Sequence, residues 1–375
     1  MVGIGTMGIG IKTPFIKEND DINNIVVDSI INASENNFTI SDGDIIAVTE
    51  SAIARAQNNF VTIDEVSNDI KQKFNNPETI GIVHPILSRN RFSLILKAVA
   101  RSTDNIIMML KYPFDEVGNE LFDMPFGKLD IHNDTLLENE IYEMDPYLSH
   151  PITGVDYIKL YREIVESENC TVEFIFSNDV TKVLYETTNI LVSDIHTRET
   201  TKKIIKKTDK NATVIGLDEI VNEKSNHGYN TEYGLLGSNV STDDSLKLFP
   251  RDSHFYVNEI QSLFKDKTGK NVEVLIYGDG AFKDPVSKIW ELADPVVCPA
   301  YTKGLIGSPN EMKLKYLIDN DMLDDLGKDI EENKMGTTPR RFTDLLGSLS
   351  DLISGSGDKG TPVVYIKNYF KKYNE

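Results

Sequence analysis

Polar side chains follow an apolar run near the start of this 375-residue sequence. Thr49, Glu50 and Ser51 come directly after the apolar residues 45–48, and Arg55 lies about one helical turn beyond Ser51. A hydroxyl group, the free amides of a helix amino end and a guanidinium on one side would suit a phosphate. The alternative is that Thr49 or Ser51 only caps the helix while Arg55 is solvated.

A second group of polar residues follows the apolar run that starts at Asn105. It contains Asp115, Glu116 and Asn119. Carboxylate and amide oxygens at the end of a strand suit Mg²⁺ or Mn²⁺, which prefer oxygen ligands. An Asp-containing turn would explain the same residues without a ligand.

A third group ends the apolar run at 189–192. Asp194 follows Ser193 there, and His196 comes two residues later. A carboxylate at a second strand end is what a shared metal site requires, whereas Asp194 as the cap of a helix at 197–207 is the alternative. His196 is a candidate base, but no HExxH or Cys/His spacing indicates zinc.

A glycine-rich loop at 354–360 is the fourth candidate. The backbone amides of Gly355, Gly357 and Gly360 could line an anion site, although a helix stop followed by a turn is the alternative. The loop follows a predicted helix and precedes a predicted strand, which is the reverse of a P-loop. A weaker polar cluster at 277–285 is explained equally well by a Gly-Asp turn.

The elements that must position these groups alternate between strand and helix patterns, which predicts an α/β fold. Thr62 and Glu65 form a capping-box pattern that opens a helix. Strands are predicted at 44–48, 81–85, 105–113, 171–177, 189–193, 212–217, 271–277 and 361–367, and helices at 62–74, 93–102, 197–207, 310–322 and 343–354. Ligands in open α/β sheets tend to bind at strand ends, where the polar groups lie.

Composition excludes several classes of partner. With 39 basic and 59 acidic residues, the net charge of −20 repels nucleic acid and anionic membranes at long range. The two cysteines, Cys170 and Cys298, give no disulfide framework and fit a reducing compartment. The start of the sequence lacks a basic segment followed by an apolar core, and no apolar run is long enough to span a bilayer. We therefore expect a soluble, cytoplasmic protein that binds neither nucleic acid nor membranes.

The sequence predicts three regions in a two-lobed molecule with mixed sheets flanked by helices. Residues 1–150 form an amino-terminal α/β lobe. Residues 151–340 form a second α/β lobe, and 341–375 form a helix, a loop and a strand.

Taken in order, these segments resemble the coenzyme F420-0:L-glutamate ligase (F420-0 γ-glutamyl ligase) family. The resemblance is distributed over the segments TPFIKENDDI (13–22), DGDIIAVTESAIARAQ (42–57), FDEVGN (114–119), ILVSDIHTR (190–198), DKTGKNVEVLIYGDG (266–280) and DLISGSGDKGTPVVYIK (351–367). Residues 281–340 have no counterpart that we can place, so we expect an insertion there.

The resemblance implies a nucleotide-dependent ligase that forms an amide between L-glutamate and a carboxylate acceptor similar to F420-0. GTP, or ATP, would phosphorylate the acceptor with Mg²⁺ or Mn²⁺ bound, and the glutamate amine would attack the acyl phosphate. Such phosphoryl transfer needs positioned cations and little covalent chemistry from the protein. The resemblance also implies a homodimer. It further implies that the lobe at 1–150 includes the nucleotide-contact strand and that the segment 341–375 closes the nucleotide site.

The resemblance assigns roles residue by residue. Asp115 and Asp194 would be the metal carboxylates and the principal catalytic residues. The implied nucleotide-binding residues are Thr13, Pro14, Phe15, Ile16, Glu50, Ser51, Arg55, Asn119, Ser354, Gly355, Ser356, Gly357, Asp358, Lys359, Gly360 and Thr361.

Three residues depart from the family pattern. Arg55 stands where lysine is usual, which keeps the charge but changes the contact geometry. Ile195 stands where a threonine is expected beside the metal aspartate, and Ser356 stands where a glutamine would help bind a second metal ion. One metal site is therefore predicted to be intact, and the second depends on Ser356.

Three other functions stay open. A folate-type polyglutamate ligase would use the same chemistry on another acceptor. Ile195 and Ser356 also fit a nucleotide-binding protein without ligase activity. A metal-dependent phosphohydrolase could use the same two aspartates.

Overall fold

The computed structural model describes residues 3–89, 91–115, 118, 121, 130–150, 153–278, 296–331, 334–336, 340–354 and 360–371, and the backbone of 281–283 and 290–292. The strands are β1 (Met7–Ile11), β2 (Ile45–Thr49), β3 (Phe60–Thr62), β4 (Thr79–Val83), β5 (Asn105–Leu110), β6 (Thr135–Leu137), β7 (Thr171–Ser177), β8 (Asn189–Val192), β9 (Thr213–Gly216), β10 (Asn239–Thr242), β11 (Ser245–Lys247), β12 (Glu273–Gly278), β13 (Ala281–Lys283), β14 (Trp290–Leu292), β15 (Val297–Tyr301) and β16 (Val363–Lys367).

The helices that accompany these strands are likewise numbered along the chain. They are α1 (Ile22–Ser34), α2 (Glu50–Ala56), α3 (Ile63–Lys73), α4 (Phe92–Ala100), α5 (Glu138–Met144), α6 (Tyr157–Ser167), α7 (Arg198–Thr208), α8 (Ser253–Thr268), α9 (Leu314–Asp319) and α10 (Phe342–Ser354). Short 3-10 helices lie at Val180–Tyr185, Leu217–Glu219, Lys303–Leu305 and Leu323–Asp325. The mixed sheets with flanking helices confirm the predicted fold class.

The chain divides into two compact units, each built from separate stretches of sequence. The first unit consists of Met1–Gln57, Asp252–Gly280 and Pro295–Glu375, and the second consists of Asn58–Arg251 and Ala281–Asp294. This partition differs from the predicted borders after residues 150 and 340. The reason is that β1, β2, β12 and β16 share one sheet although they come from opposite ends of the chain. Local periodicity carries no information about such distant pairing.

The sheet of the first unit has the strand order β1-β16-β2-β12-β15 in the described residues. β2 and β12 run parallel, whereas β16 runs antiparallel to both of its neighbours. Ile46 and Val48 face a core that α1 and α8 cover, and Ile45 and Ala47 face a second core on the side of α10. Both faces of β2 are therefore buried, which explains its unbroken apolar sequence.

The main sheet of the second unit has the order β6-β7-β5-β4-β8-β9, and its described strand pairs are parallel except for β6 with β7. Ile82 and Met108 face the core under α3, α4 and α6. Val83 and Met109 face the other side, where Ile205 of α7 packs. The chain passes from β4 to β5 on one side of β4 and later returns to β8 on the other side. This reversal of strand order is a topological switch point.

Local sequence signals agree with the structure at some positions and not at others. Glu65 donates its backbone N–H to the Thr62 hydroxyl and accepts the Thr62 backbone N–H, so the predicted capping box is present. The helix predicted over 310–322 is shorter, because it spans only Leu314–Asp319. Residues 311 and 312 instead form isolated bridges with residues 329 and 336, which hold the backbone extended before the helix begins.

A buried ion pair connects the centre of the first sheet to the start of β2. Asp44 is 2% exposed, and its carboxylate accepts hydrogen bonds from the Tyr365 hydroxyl at 2.9 Å and the Lys367 ammonium at 3.0 Å. The backbone N–H of Ser41 donates to the same carboxylate at 2.9 Å. A buried charge with several donors holds its neighbours in one arrangement, since losing a partner leaves polar groups uncompensated.

We expect Asp44→Ala to lower the free energy of unfolding by about 3–5 kcal/mol, because the buried Lys367 ammonium and the Tyr365 hydroxyl would lose their acceptor. Urea unfolding followed by circular dichroism measures this change. Asp42→Ala is the matched control, since Asp42 pairs with Lys270 at the surface and its loss should change stability little. Equal effects of the two substitutions would contradict the importance of the buried pair.

Candidate functional site

The predicted nucleotide residues of the first unit meet at one edge of its sheet. The carboxyl ends of β1, β2 and β12 share that edge with the amino end of β16, because β16 runs in the opposite direction. Thr49 donates its backbone N–H to the Pro362 carbonyl at 2.9 Å, and the Thr361 hydroxyl donates to the Ser354 carbonyl at 3.1 Å. The segments near residues 13, 50 and 361 are therefore neighbours in space.

The short helix α2 presents two of the predicted groups to solvent. Thr49 is its N-cap and makes no capping hydrogen bond with its side chain, so the capping alternative does not describe Thr49. Ser51 and Arg55 are exposed, whereas Glu50 is buried against β12. A Cβ atom at Gly278 would lie 2.1 Å from the Glu50 Cγ, so the close approach of this strand end to Glu50 requires glycine.

The amino-terminal loop extends from the end of β1. The Phe15 side chain is 95% exposed, while Ile16 packs against the first core. Thr13 and Pro14 line an open cleft of about 930 Å³ beside β1 and α1. In the glycine-rich loop, Ser354 ends α10 and Gly360 has a positive φ of 65°. Gly355, Ser356, Gly357, Asp358 and Lys359 lie outside the described residues, as does Asn119.

The predicted metal carboxylates lie at the carboxyl edge of the parallel sheet in the second unit. Asp115 follows β5 and Asp194 follows β8, on opposite sides of β4. Ser193 donates its backbone N–H to the Val83 carbonyl at 2.9 Å, which continues the pairing of β8 with β4 to the switch point. The strand arrangement thus places Asp194 where α/β sheets commonly bind ligands.

Asp194 is completely buried and has a neutral hydrogen-bond donor. The Thr201 hydroxyl donates to its Oδ2 at 2.7 Å, whereas Oδ1 has no hydrogen-bond partner among the described residues. Helix α7 has Thr197 as its N-cap, and its described amides do not donate to Asp194. Asp194 therefore is not the cap of that helix. A buried carboxylate oxygen without a partner fits a hard cation such as Mg²⁺ or Mn²⁺.

Asp115 is held by a histidine that the sequence reasoning did not select. His150 Nδ1 accepts the backbone N–H of Thr153 at 3.2 Å, which leaves the proton of the neutral ring on Nε2. That nitrogen lies 3.4 Å from the Asp115 Oδ2, and the two side chains are only 1% and 6% exposed. No group of three or more His, Cys, Asp or Glu side chains within the described ranges is arranged to hold a metal ion.

One comparison with known families covers nearly the whole chain. The sequence model of the family described as F420-0:Gamma-glutamyl ligase matches residues 10–368. The chain belongs to the F420-0:γ-glutamyl ligase family. A search of curated proteins gave no match. None of the described helices has the length and apolar character needed to cross a membrane.

Ile195 is one of the residues that depart from the pattern of the γ-glutamyl ligase family. Ile195 follows the predicted metal aspartate, and its side chain packs against the core of the second unit. Arg198 donates to the Ile195 carbonyl at 2.9 Å and so fixes the backbone at this point. The hydrocarbon side chain offers no oxygen ligand, so any second metal ion would need other donors. His196, the candidate base, is exposed.

His84 is a second residue at the switch point that the sequence reasoning missed. It follows β4 with a positive φ of 49°, and its Nε2 lies 2.9 Å from the Ser177 carbonyl. Burial lowers the pKa of His84 to about 4, so the ring is neutral at neutral pH. His84 also lines a small cavity with Lys111 and Asp115. A histidine directly after the apolar strand, in the segment GIVHP, was the available signal.

We expect His84 to make stability depend on pH. The unfolded histidine has a pKa of 6.5 and the folded one about 4, so protonation favours the unfolded state. The free energy of unfolding is therefore highest above pH 6.5 and decreases as the pH falls towards 4. The shift corresponds to about 3 kcal/mol at most. Urea titrations between these pH values should show a flatter dependence for His84→Asn, since asparagine tolerates the left-handed backbone. The exposed His254→Asn should match the wild type, and parallel curves for all three proteins would refute the assignment.

Proposed function

We propose that the protein is a nucleotide-dependent γ-glutamyl ligase that joins L-glutamate to a carboxylate acceptor of the F420-0 type. GTP or ATP would phosphorylate the acceptor carboxylate. The glutamate amine would then attack the acyl carbon, forming the amide bond and releasing phosphate. Family membership supports the ligase class, and the buried Asp194 carboxylate with its unpartnered Oδ1 is the structural observation that carries the proposal.

Asp115 and Asp194 are proposed to hold the divalent cation. Mg²⁺ or Mn²⁺, when bound, would supply positive charge against the phosphate oxygens. The support lies in the chemistry of the donors: Asp194 is buried without a described cationic partner, and Asp115 is oriented by His150. Burying a carboxylate without a compensating charge is unfavourable, so a cation at this edge would relieve that penalty.

The first unit is proposed to bind the nucleotide. Ser51 and Arg55 present a hydroxyl and a guanidinium to solvent on α2, which suits phosphate oxygens. Glu50 stands beside them at the same sheet edge. The remaining proposed contacts in this unit are Thr13, Pro14, Phe15, Ile16, Ser354, Gly355, Ser356, Gly357, Asp358, Lys359, Gly360 and Thr361. Asn119, which belongs to the second unit, is a further proposed contact. Ser356 is also proposed as a metal donor. A cytoplasmic location remains our expectation from composition, and a homodimer remains our expectation from the family resemblance.

A nucleotide-binding protein without ligase activity is the second candidate, and Ile195 is the observation that favours it. Its packed side chain leaves one expected oxygen ligand missing beside Asp194. Such a protein would bind GTP or ATP tightly and release no phosphate with any acceptor.

The activity test combines the purified protein with GTP or ATP, Mg²⁺ or Mn²⁺, L-glutamate and one acceptor at a time. Mass spectrometry detects the addition of a glutamyl residue, and a phosphate assay runs in parallel. Addition to F420-0 supports the proposal, whereas addition to a folate alone assigns a folate-type ligase. Phosphate release without acceptor and glutamate identifies a phosphohydrolase. Binding of nucleotide without either product supports the second candidate.

We expect Asp194→Asn to abolish metal-dependent turnover while leaving the fold intact, because the amide keeps an acceptor for Thr201 but removes the charge that holds the cation. Glutamyl transfer and circular dichroism are the measurements. Asp104→Asn is the matched control, since Asp104 is exposed at the opposite end of β5 in the same sheet. Undiminished activity of the Asp194 variant would remove its metal assignment.

A further inference from the structure

The hydroxyl of Thr201 is the described hydrogen-bond donor to the buried Asp194 carboxylate. It donates to Oδ2 at 2.7 Å, and Thr201 itself is 4% exposed. No lysine or arginine in the part of the chain that the structure describes forms an ion pair with Asp194. The carboxylate is therefore oriented by a neutral hydroxyl group.

The position of Thr201 in α7 explains how its hydroxyl is held. Thr201 and Ile205 are the buried residues of this helix, one turn apart, and Ile205 packs into the core beneath the sheet. The backbone N–H of Thr201 already donates a hydrogen bond to the Thr197 carbonyl at 2.9 Å, so Thr201 contacts Asp194 through its side-chain hydroxyl. A β-branched side chain has few χ1 states in a helix, which limits the directions in which its hydroxyl can point.

The two carboxylate oxygens consequently have different surroundings. Oδ2 is bonded to the helix, while Oδ1 is buried without a hydrogen-bond partner within the described residues. Fixing one oxygen restricts rotation of the carboxylate about its terminal bond, and this restriction sets the direction of the other oxygen. In other metal sites, hydrogen bonds to a ligating side chain orient it towards the metal ion in the same manner.

We propose that Thr201 is a positioning residue that orients Asp194 so that Oδ1 faces a divalent cation. The inference rests on the proposed function, because it takes Asp194 as a ligand of Mg²⁺ or Mn²⁺. It adds a residue outside the strand-end motif to the determinants of metal affinity. Thr201 itself does not touch the cation.

The test measures Mn²⁺ binding to the full-length protein, by calorimetry and by the electron paramagnetic resonance signal of free Mn²⁺, without nucleotide. Thr201→Val keeps the shape and removes the donor, and we expect Mn²⁺ binding to weaken by about 10–100-fold. Thr201→Ser keeps the hydroxyl and should bind Mn²⁺ like the wild type. Thr208→Val is the matched control, since the Thr208 hydroxyl donates to the Ile204 carbonyl on the same helix and should not influence the metal.

Asp194→Asn separates failure of this inference from failure of the proposed function. If the wild type binds Mn²⁺, Asp194→Asn loses binding and Thr201→Val binds normally, the positioning role is refuted while the metal assignment stands. If the wild type and Asp194→Asn bind Mn²⁺ equally or not at all, the metal assignment falls and the inference falls with it. Circular dichroism verifies folding. If Thr201→Val does not fold, Thr201→Cys replaces it, and normal Mn²⁺ binding by that weak donor would refute the role.

Discussion

The parallel pairing of β4 with β5 on one side and with β8 on the other is the constraint on which the second unit depends. It aligns three carboxyl ends at one edge of the sheet and places the reversal of strand order next to Asp194. Both faces of these strands are packed in hydrophobic cores, so a shift in register would disrupt side-chain packing on both sides of the sheet. The polar residues at this edge are therefore held by a rigid framework.

Three polar residues at that edge are each held by a contact from another element. Asp194 accepts a hydrogen bond from the Thr201 hydroxyl of α7. Asp115 lies beside the imidazole of His150, and the His84 ring lies within hydrogen-bond distance of the Ser177 carbonyl at the end of β7. The described hydrogen-bond donor to Asp194 is a neutral hydroxyl. The Thr153 N–H that donates to His150 Nδ1 leaves Nε2 as the nitrogen facing Asp115. Neutral partners orient a carboxylate without cancelling its charge, which is the combination that a cation site requires.

In the first unit, the polar segments are brought to one sheet edge in a different way. β16 enters the sheet between β1 and β2 from the far end of the chain, and the buried Asp44 anchors it through Tyr365 and Lys367. This insertion brings the end of α10 and Thr361 next to the start of α2. Segments that the family resemblance assigned to one ligand are thus neighbours at one edge.

The sequence by itself predicted the fold class, many of the strands and helices, the positions of Asp115 and Asp194 after β5 and β8, and the family, because these depend on periodicity and on short motifs. It missed His84, His150 and Thr201, since single histidines and a threonine on a helix carry no distinctive local pattern. Only the tertiary structure decided which strands share a sheet, and hence that both ends of the chain form one unit. The tertiary structure also decided that Asp194 accepts a hydrogen bond from the Thr201 side chain and does not cap α7, because the position of Asp194 relative to α7 depends on how the helix packs against the sheet.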